Sequence, residues 1–166
     1  MSAIDTVKTF MAALQAGDLE LAAQYMSDDF SMSGWTTRPI SKGVFLAMQS
    51  ELHTAMPDLS YYLSDLLEDR DRVTGLMSLS GTHTHGLTLP MFGIRLIPAT
   101  GIWVELPEVH VEYTLDHGKV KVMRVEAVPG GGLTGLLQQI GTELPPLPRS
   151  GQDDMRLLDE LGETSI

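Results

Sequence analysis

The stretch Ile97-Pro98-Ala99-Thr100-Gly101 leads into a long run of alternating apolar and polar residues, and that run ends at Asp116-His117-Gly118-Lys119. A second alternating run follows as far as residue 128, and Gly130-Gly131-Gly132 then introduces leucines at helical spacing. Alternation with a period of two is typical of a strand that buries one face. The sequence therefore predicts a wide β-hairpin, with strands 101–115 and 119–128, docked by a final helix.

The residues before this hairpin predict three helices and three strands. A first helix ends at Gly17, Asp18 caps a second, and a third begins after Ser41 and ends before Pro57. The predicted strands cover residues 30–35, 59–67 and 72–84, and residues 86–99 are predicted as a loop long enough to form a lid or rim. Because the helices come first and long antiparallel strands follow, we expect an α+β fold and not a parallel α/β sheet.

Length and composition restrict the class of protein. A chain of 166 residues is expected to form one domain. Its net charge of −11 disfavours binding to nucleic acid or to an anionic membrane, both of which need a surplus of Lys and Arg. The chain has no cysteine, no apolar run of about 20 residues and no visible signal peptide, so the sequence predicts a cytoplasmic protein.

The composition changes near the end of the chain. We predict a domain over residues 1–141 and a C-terminal tail over residues 142–166, which contains Pro145-Pro146-Leu147-Pro148 and a short amphipathic segment. The sequence leaves two interpretations open for this tail. It docks on its own domain or on a partner subunit, or it is a disordered terminus.

One face of the predicted hairpin carries ionisable side chains. If Asp116-His117-Gly118 forms the loop, His110 lies opposite Arg124 and Glu108 lies opposite Glu126. A base, a cation and a carboxylate on one surface are the groups that enolate chemistry needs. The alternative is a polar face turned to solvent or to a second subunit, and a shift of one residue in register would exchange the two faces.

The order and spacing of several short motifs resemble the SnoaL-like polyketide cyclases of the nuclear transport factor 2-like superfamily. The motifs are Gly17-Asp18-Leu19-Glu20, Gly81-Thr82-His83-Thr84, Pro98-Ala99-Thr100-Gly101, Glu108-Val109-His110, Asp116-His117-Gly118-Lys119-Val120 and Gly135-Leu136-Leu137-Gln138-Gln139-Ile140-Gly141. The resemblance implies a cone-shaped, curved antiparallel sheet wrapped by N-terminal helices, a deep apolar pocket and a homodimer. It also implies aldol chemistry without a cofactor or metal.

In that family an aspartate on the return strand acts as acid and base near a pocket histidine. Here Val125 occupies the aspartate position, and Glu126 follows it by one place. The resemblance therefore implies a catalytic set of His110 as base or hydrogen-bond partner, Arg124 as oxyanion-orienting group and Glu126 as displaced carboxylate.

Trp35, His83 and Trp103 are the candidate substrate-binding residues. Large amphipathic aromatic side chains suit pocket walls, and Tyr61 and Tyr62 share this property, although most aromatic residues of a small domain belong to its core. His83 is also expected to hydrogen-bond to loop backbone at the end of its strand. No metal site is predicted, because the histidines are accompanied by neither cysteine nor a carboxylate at ligand spacing.

Two classes of function follow. The first is a cofactor-free acid/base cyclase or isomerase that acts on a polyketide-like or other apolar carbonyl compound. The second is a ligand-binding or dimeric assembly protein of the same fold without catalysis, which Val125 at the acid/base position favours. Epoxide hydrolysis is a lower alternative, because two aspartates flanking Arg124 are not evident in the sequence.

Overall fold

The computed structural model describes residues 1–142, so the predicted tail lies almost entirely outside the described residues. Within them the helices are α1 (Ala3–Ala16), α2 (Leu19–Gln24), α3 (Lys42–Ala55) and α4 (Gly132–Gln139). The strands are β1 (Met26–Ser33), β2 (Ile40–Ser41), β3 (Ser60–Asp69), β4 (Arg72–Thr82), β5 (Leu87–Leu89), β6 (Ile94–Ile97), β7 (Trp103–Glu105), β8 (Val109–Asp116) and β9 (Lys119–Val125). No helix in this part of the chain is long and apolar enough to cross a membrane.

The ends of the first three helices follow the predicted capping chemistry. Gly17 ends α1 with φ 77°, a left-handed conformation that favours glycine. The Asp18 carboxylate accepts the Leu21 backbone N–H at 3.1 Å, and the Ser41 hydroxyl accepts the Val44 N–H at 3.4 Å. These contacts satisfy donors that a helix leaves free in its first turn, and the predicted helix boundaries are confirmed.

Seven strands form one sheet in the order β2-β1-β9-β8-β4-β3, with β7 also paired to β4. The pairing is antiparallel except between β1 and β9, which run parallel, so the sheet is mixed and not purely antiparallel as predicted. Helices α1 and α3 contact the sheet, and their apolar residues join those of its inner face in one core. The α+β cone is thereby confirmed.

A bulge in the edge strand β3 helps to curl the sheet. Its register shifts between Ser64 and Leu67, and Asp65 has φ 53°, a left-handed value for a residue other than glycine. A Cβ atom on the opposing Gly75 would lie 2.6 Å from a methyl carbon of Leu66. The absence of a side chain at Gly75 therefore lets the bulged strand pack over its neighbour.

The predicted hairpin exists, but its first strand and its register were wrong. Residues 106–108, which include Pro107, interrupt strand 101–115, so β7 pairs with the end of β4 while β8 pairs with β9. The loop contains only His117 and Gly118, both with positive φ, and β9 has an extra residue opposite Thr114 and Leu115. The shorter loop and the extra residue of β9 each shift the pairing of β8 with β9 by one residue, so Arg124 lies opposite Glu112.

Two further predictions need correction. Strand β1 begins at Met26 and not at residue 30, because Asp28 and Asp29 lie within the strand with exposed carboxylates near lysines. Residues 86–99 are not an open loop. They contain the antiparallel pair β5–β6, which packs on α3 through buried residues such as Leu87 and Leu89.

Candidate functional site

The predicted catalytic row lies on the outer face of the sheet. On β8, Val109, Val111, Tyr113 and Leu115 are buried on the inner face, whereas His110 is exposed. The side chains of His110 and Glu126 are 77% and 47% exposed. The expectation that the charged row faces the enclosed cavity was therefore wrong, because burial of the aliphatic row fixes the orientation of the strand.

The shifted register gives the outer row a different set of partners. His110 pairs with Glu126, whose carboxylate accepts the backbone N–H of His110 at 3.0 Å and contacts its Nδ1 at 3.1 Å. Backbone hydrogen bonding from His110, and then its ring, lower the pKa of Glu126. Arg124 lies opposite Glu112 and not His110, with 3.7 Å between Nη1 and Oε1. The His110–Glu126 and Arg124–Glu112 pairs link the side chains of β8 to residues of the return strand on the exposed face. Their placement outside the cone gives no support to a catalytic role inside a pocket.

The interior of the cone is apolar and nearly filled by side chains. A small cavity of about 10 Å³ lies between the inner sheet face and helices α1 and α3. Its wall includes Met11, Met32, Met77 and Met123, together with the buried indole of Trp35. This volume holds roughly one water molecule, so an organic ligand enters only if the methionines change rotamer.

A hydrogen-bonded polar pair interrupts this apolar wall. The Tyr61 hydroxyl, from β3, donates to Oε1 of Gln49, from α3, at 2.8 Å. Gln49 is almost fully buried, and burial raises the pKa of Tyr61, so the phenol is neutral at physiological pH. The pair places uncharged hydrogen-bonding groups at the cavity without placing a charge there.

Tyr113 provides a second phenol, which is more deeply buried than that of Tyr61. It lies on the inner face of β8 between Val73 of β4 and Met123 of β9, and its side chain is fully buried. Its hydroxyl has no hydrogen-bond partner among the described residues. Burial, and to a smaller degree the neighbouring Tyr61, raise the pKa of Tyr113, so its hydroxyl keeps its proton.

His83 lies in a different part of the molecule. Its ring is almost fully buried, and Nδ1 accepts the backbone N–H of Thr100 at 3.3 Å and lies 2.9 Å from the Thr100 hydroxyl. Burial lowers the pKa of His83. The predicted contact with loop backbone is confirmed, and the ring joins the end of β4 to the segment that follows β6. Its predicted substrate-binding role stays a prediction.

The two tryptophans are placed differently. Trp35 is buried and contributes to the wall of the interior cavity, and its substrate-binding role stays a prediction. Trp103 is 54% exposed, on the strand position opposite Thr82. Its side chain therefore lies outside the interior wall.

A groove open to solvent lies outside the cone, between α1 and β3. It has a volume of about 360 Å³, with Lys8 and Gln15 among its lining residues. Met11 and Tyr61 border both this groove and the interior cavity, so only their side chains separate the two spaces at this point. The groove is open to solvent and partly apolar.

Sequence reasoning missed Gln49 and Tyr113. Gln49 follows Phe45 by four residues and precedes Leu52 by three, so it occupies a core position on the apolar face of α3. Tyr113 belongs to the aliphatic row of β8. A polar group inside an otherwise apolar row is the signal that could have found both residues.

A family model for SnoaL-like polyketide cyclases matches residues 4–126. No curated protein matches the chain at a significant level. Among solved structures, a candidate SnoaL-like polyketide cyclase from Jannaschia sp. CCS1 is 17% identical, with a TM-score of 0.65 over 87% of this chain and 93% of its own. IdmH, a candidate polyketide cyclase from Streptomyces antibioticus, is 18% identical, with a TM-score of 0.64 over 86% and 100%.

An epoxide hydrolase of the LEH-like type from M. tuberculosis is 16% identical, with a TM-score of 0.60 over 83% of this chain and 91% of its own. At such identities the structural likenesses establish a shared fold and nothing about a shared reaction. The family match covers most of the chain and agrees with the cone. The chain belongs to the SnoaL-like polyketide cyclase family.

Proposed function

We propose that this protein binds a small, mostly apolar organic molecule inside the cone. The observation that carries the proposal is the Gln49–Tyr61 hydrogen bond in an interior otherwise lined by methionine, leucine and aromatic side chains. Ligand sites typically combine an apolar wall with a few oriented polar groups. Methionine side chains adapt their shape at low cost, which allows the small cavity to expand around a guest.

The interior favours binding over acid/base catalysis by a carboxylate or an imidazole. Among residues 1–142 the buried polar or charged side chains are Thr6, Gln49 and His83. No buried carboxylate is among them, so the displaced-carboxylate chemistry predicted for Glu126 has no equivalent inside the cone. Epoxide hydrolysis by an aspartate pair lacks support for the same reason.

A cofactor-free cyclase or isomerase activity on an apolar carbonyl compound is the second candidate, and family membership favours it. If the protein is such an enzyme, the neutral phenols of Tyr61 and Tyr113 would polarise the carbonyl group of the substrate by hydrogen bonding to its oxygen. This is a form of electrostatic catalysis. Turnover assays on any carbonyl ligand that binds would distinguish this candidate from simple binding.

The binding proposal can be tested with Trp35 as a local reporter. The chain has two tryptophans, so Trp103→Phe leaves Trp35 as the only one. Bromine quenches tryptophan emission at short range, and 1-bromo-4-ethylbenzene is small and neutral. We expect saturable quenching in Trp103→Phe and no saturable quenching in the matched variant Trp35→Phe. Quenching that rises linearly with concentration in both variants would contradict an interior site.

The predicted homodimer and the predicted cytoplasmic location stay predictions. Tyr62 and Trp103 are exposed on the polar outer sheet face, where a second subunit could cover them. Sedimentation equilibrium of the full chain measures the mass directly, and a mass of one chain at micromolar concentration would contradict the homodimer.

A further inference from the structure

We propose that the Tyr113 hydroxyl is the hydrogen-bond donor for the carbonyl oxygen of a neutral ligand, and that this donor makes the interior selective for neutral carbonyl compounds over carboxylates. The inference rests on the proposed binding function and adds to it the residue and the chemical class. Tyr113 has a fully buried hydroxyl on the inner sheet face, and no residue in the described part of the chain bonds to it.

An unpartnered buried hydroxyl is unusual in a native protein. Most buried polar side-chain atoms have a hydrogen-bond partner, and each exception calls for an explanation. Val73 and Met123 flank Tyr113 on the neighbouring strands; valine has no acceptor, and the Met123 thioether is a weak acceptor that does not bond the hydroxyl. Met123 lines the interior cavity and Tyr113, its strand neighbour, does not, so a guest reaches the Tyr113 hydroxyl when the cavity expands past Met123. We therefore assign the missing partner of the Tyr113 hydroxyl to an oxygen atom of the ligand.

The nearby phenol is already committed elsewhere. Tyr61 donates its hydrogen to Gln49, so its hydroxyl has a partner without any ligand. The two tyrosines therefore differ in the property that matters for recognition. Tyr61 contributes to a permanent polar pair, whereas Tyr113 has a hydrogen to donate.

The count of donors and acceptors selects a carbonyl group. A carbonyl oxygen accepts a hydrogen bond and brings no hydrogen of its own, so one phenol satisfies it. A ligand hydroxyl at the same place would add an O–H that needs a further acceptor. A hydrocarbon would leave the Tyr113 hydroxyl unpaired.

The absence of an interior cation among residues 1–142 disfavours carboxylates. Lysine and arginine are not among the buried side chains there, and burial lowers the pKa of His83, which disfavours its charged form. A carboxylate transferred into this space would lose its hydration and gain no opposite charge, which is a large cost. The site should therefore discriminate by charge as well as by hydrogen bonding.

A matched set of probes tests this proposal in the Trp103→Phe background. The probes are 4-bromoacetophenone and methyl 4-bromobenzoate, which carry neutral carbonyls, 1-bromo-4-ethylbenzene, which carries none, and 4-bromobenzoate, which is an anion at pH 8. Trp35 quenching gives a dissociation constant for each. We expect the neutral carbonyl probes to bind most tightly and the anion most weakly.

The decisive variant is Tyr113→Phe, with the exposed Tyr62→Phe as its control. We expect Tyr113→Phe to weaken 4-bromoacetophenone by about five- to tenfold, the usual effect of one hydrogen bond. Binding of 1-bromo-4-ethylbenzene should stay the same or improve. Tyr62→Phe should change neither probe.

The outcomes separate this inference from the function on which it rests. If the hydrocarbon binds saturably and Tyr113→Phe leaves the ketone unchanged, the inference is overturned and the binding function stands. Equal affinity for 4-bromobenzoate and its methyl ester would also overturn it. If no probe gives saturable quenching of Trp35, the binding function fails and the inference fails with it.

Discussion

Replacement of Tyr113 by phenylalanine should make the ligand-free protein more stable. The substitution removes only the hydroxyl, which is fully buried and has no hydrogen-bond partner within residues 1–142. A buried donor without a partner costs about 1–3 kcal/mol, and the lost oxygen leaves only a small void. We therefore expect the free energy of unfolding to rise by about 1–2 kcal/mol. For a chain of this length that corresponds to a Tm increase of roughly 2–8 °C.

Two other tyrosines supply the matched comparisons. Tyr61→Phe removes the hydrogen bond to Gln49 at 2.8 Å and leaves a buried amide oxygen without a donor, so it should destabilise by about 1–3 kcal/mol. Tyr62 is 65% exposed, and Tyr62→Phe should stay within about 0.5 kcal/mol of the wild type. The same atom is deleted in all three variants, and only its environment differs.

Urea denaturation followed by circular dichroism measures the three free energies without relying on a ligand. The expected order of stability is Tyr113→Phe above wild type and Tyr62→Phe, with Tyr61→Phe lowest. If Tyr113→Phe is destabilised as much as Tyr61→Phe, the Tyr113 hydroxyl has a partner in the folded protein. The reasoning about a donor kept free for a ligand would then be refuted.

Three further predictions concern other parts of the fold. Because burial lowers the pKa of His83 in the folded state, the unfolded chain binds a proton on this ring more readily than the folded protein does. The free energy of unfolding should therefore fall as the pH drops below about 6.5. His83→Asn should reduce this pH dependence, as measured by chemical denaturation at several pH values. The lowered pKa of Asp58 and of Glu126 adds stability that is lost only at more acidic pH, below their ordinary values of 3.8 and 4.5, so the two effects separate along the pH axis. Gly34→Ala should destabilise the protein by more than about 3 kcal/mol, because the new Cβ would lie 1.7 Å from the Val125 carbonyl oxygen. A Cβ at Gly43 would have no atom within 4 Å, so Gly43→Ala should stabilise α3 by about 0.5–1 kcal/mol. Thermal unfolding measures both variants. His110→Ala and Glu126→Gln should leave the affinity for 4-bromoacetophenone unchanged, since both side chains lie outside the cone. A loss of affinity above threefold in the Trp35 quenching titration would show that these residues contribute to the binding site.

Local chemistry made the helices predictable from the sequence. A capping side chain and a terminating glycine act on atoms only a few residues away, so Ser41, Asp18 and Gly17 determine their helix ends without help from the rest of the chain. The strands 59–67 and 72–84 were predicted nearly in full for a similar reason, because a short connection forces neighbouring strands to pair.

The hairpin register was not predictable in the same way. It depends on a loop of two residues in place of three and on a bulge at β9, and the bulge shows in the sequence only as the adjacent apolar residues Val122 and Met123, where the alternation changes phase. The sequence separated the His110 row from the Val109 row correctly. It could not determine which row faces inward, because that choice is made by the helices packed against the sheet.

The burial of the aliphatic row also explains why the candidate site moved. A cone closed by α1 and α3 gains most when Val109, Val111 and Leu115 face the helices, and this requires His110 and Glu112 to face outward. The interior is then left with the few polar groups that lie within apolar rows, Gln49 on α3 and Tyr113 on β8. A phenol suits such a place better than a carboxylate, because it can be buried uncharged and still donate a hydrogen bond. Among residues 1–142 the interior therefore favours the proposed recognition of a neutral oxygen over proton transfer by a charged side chain.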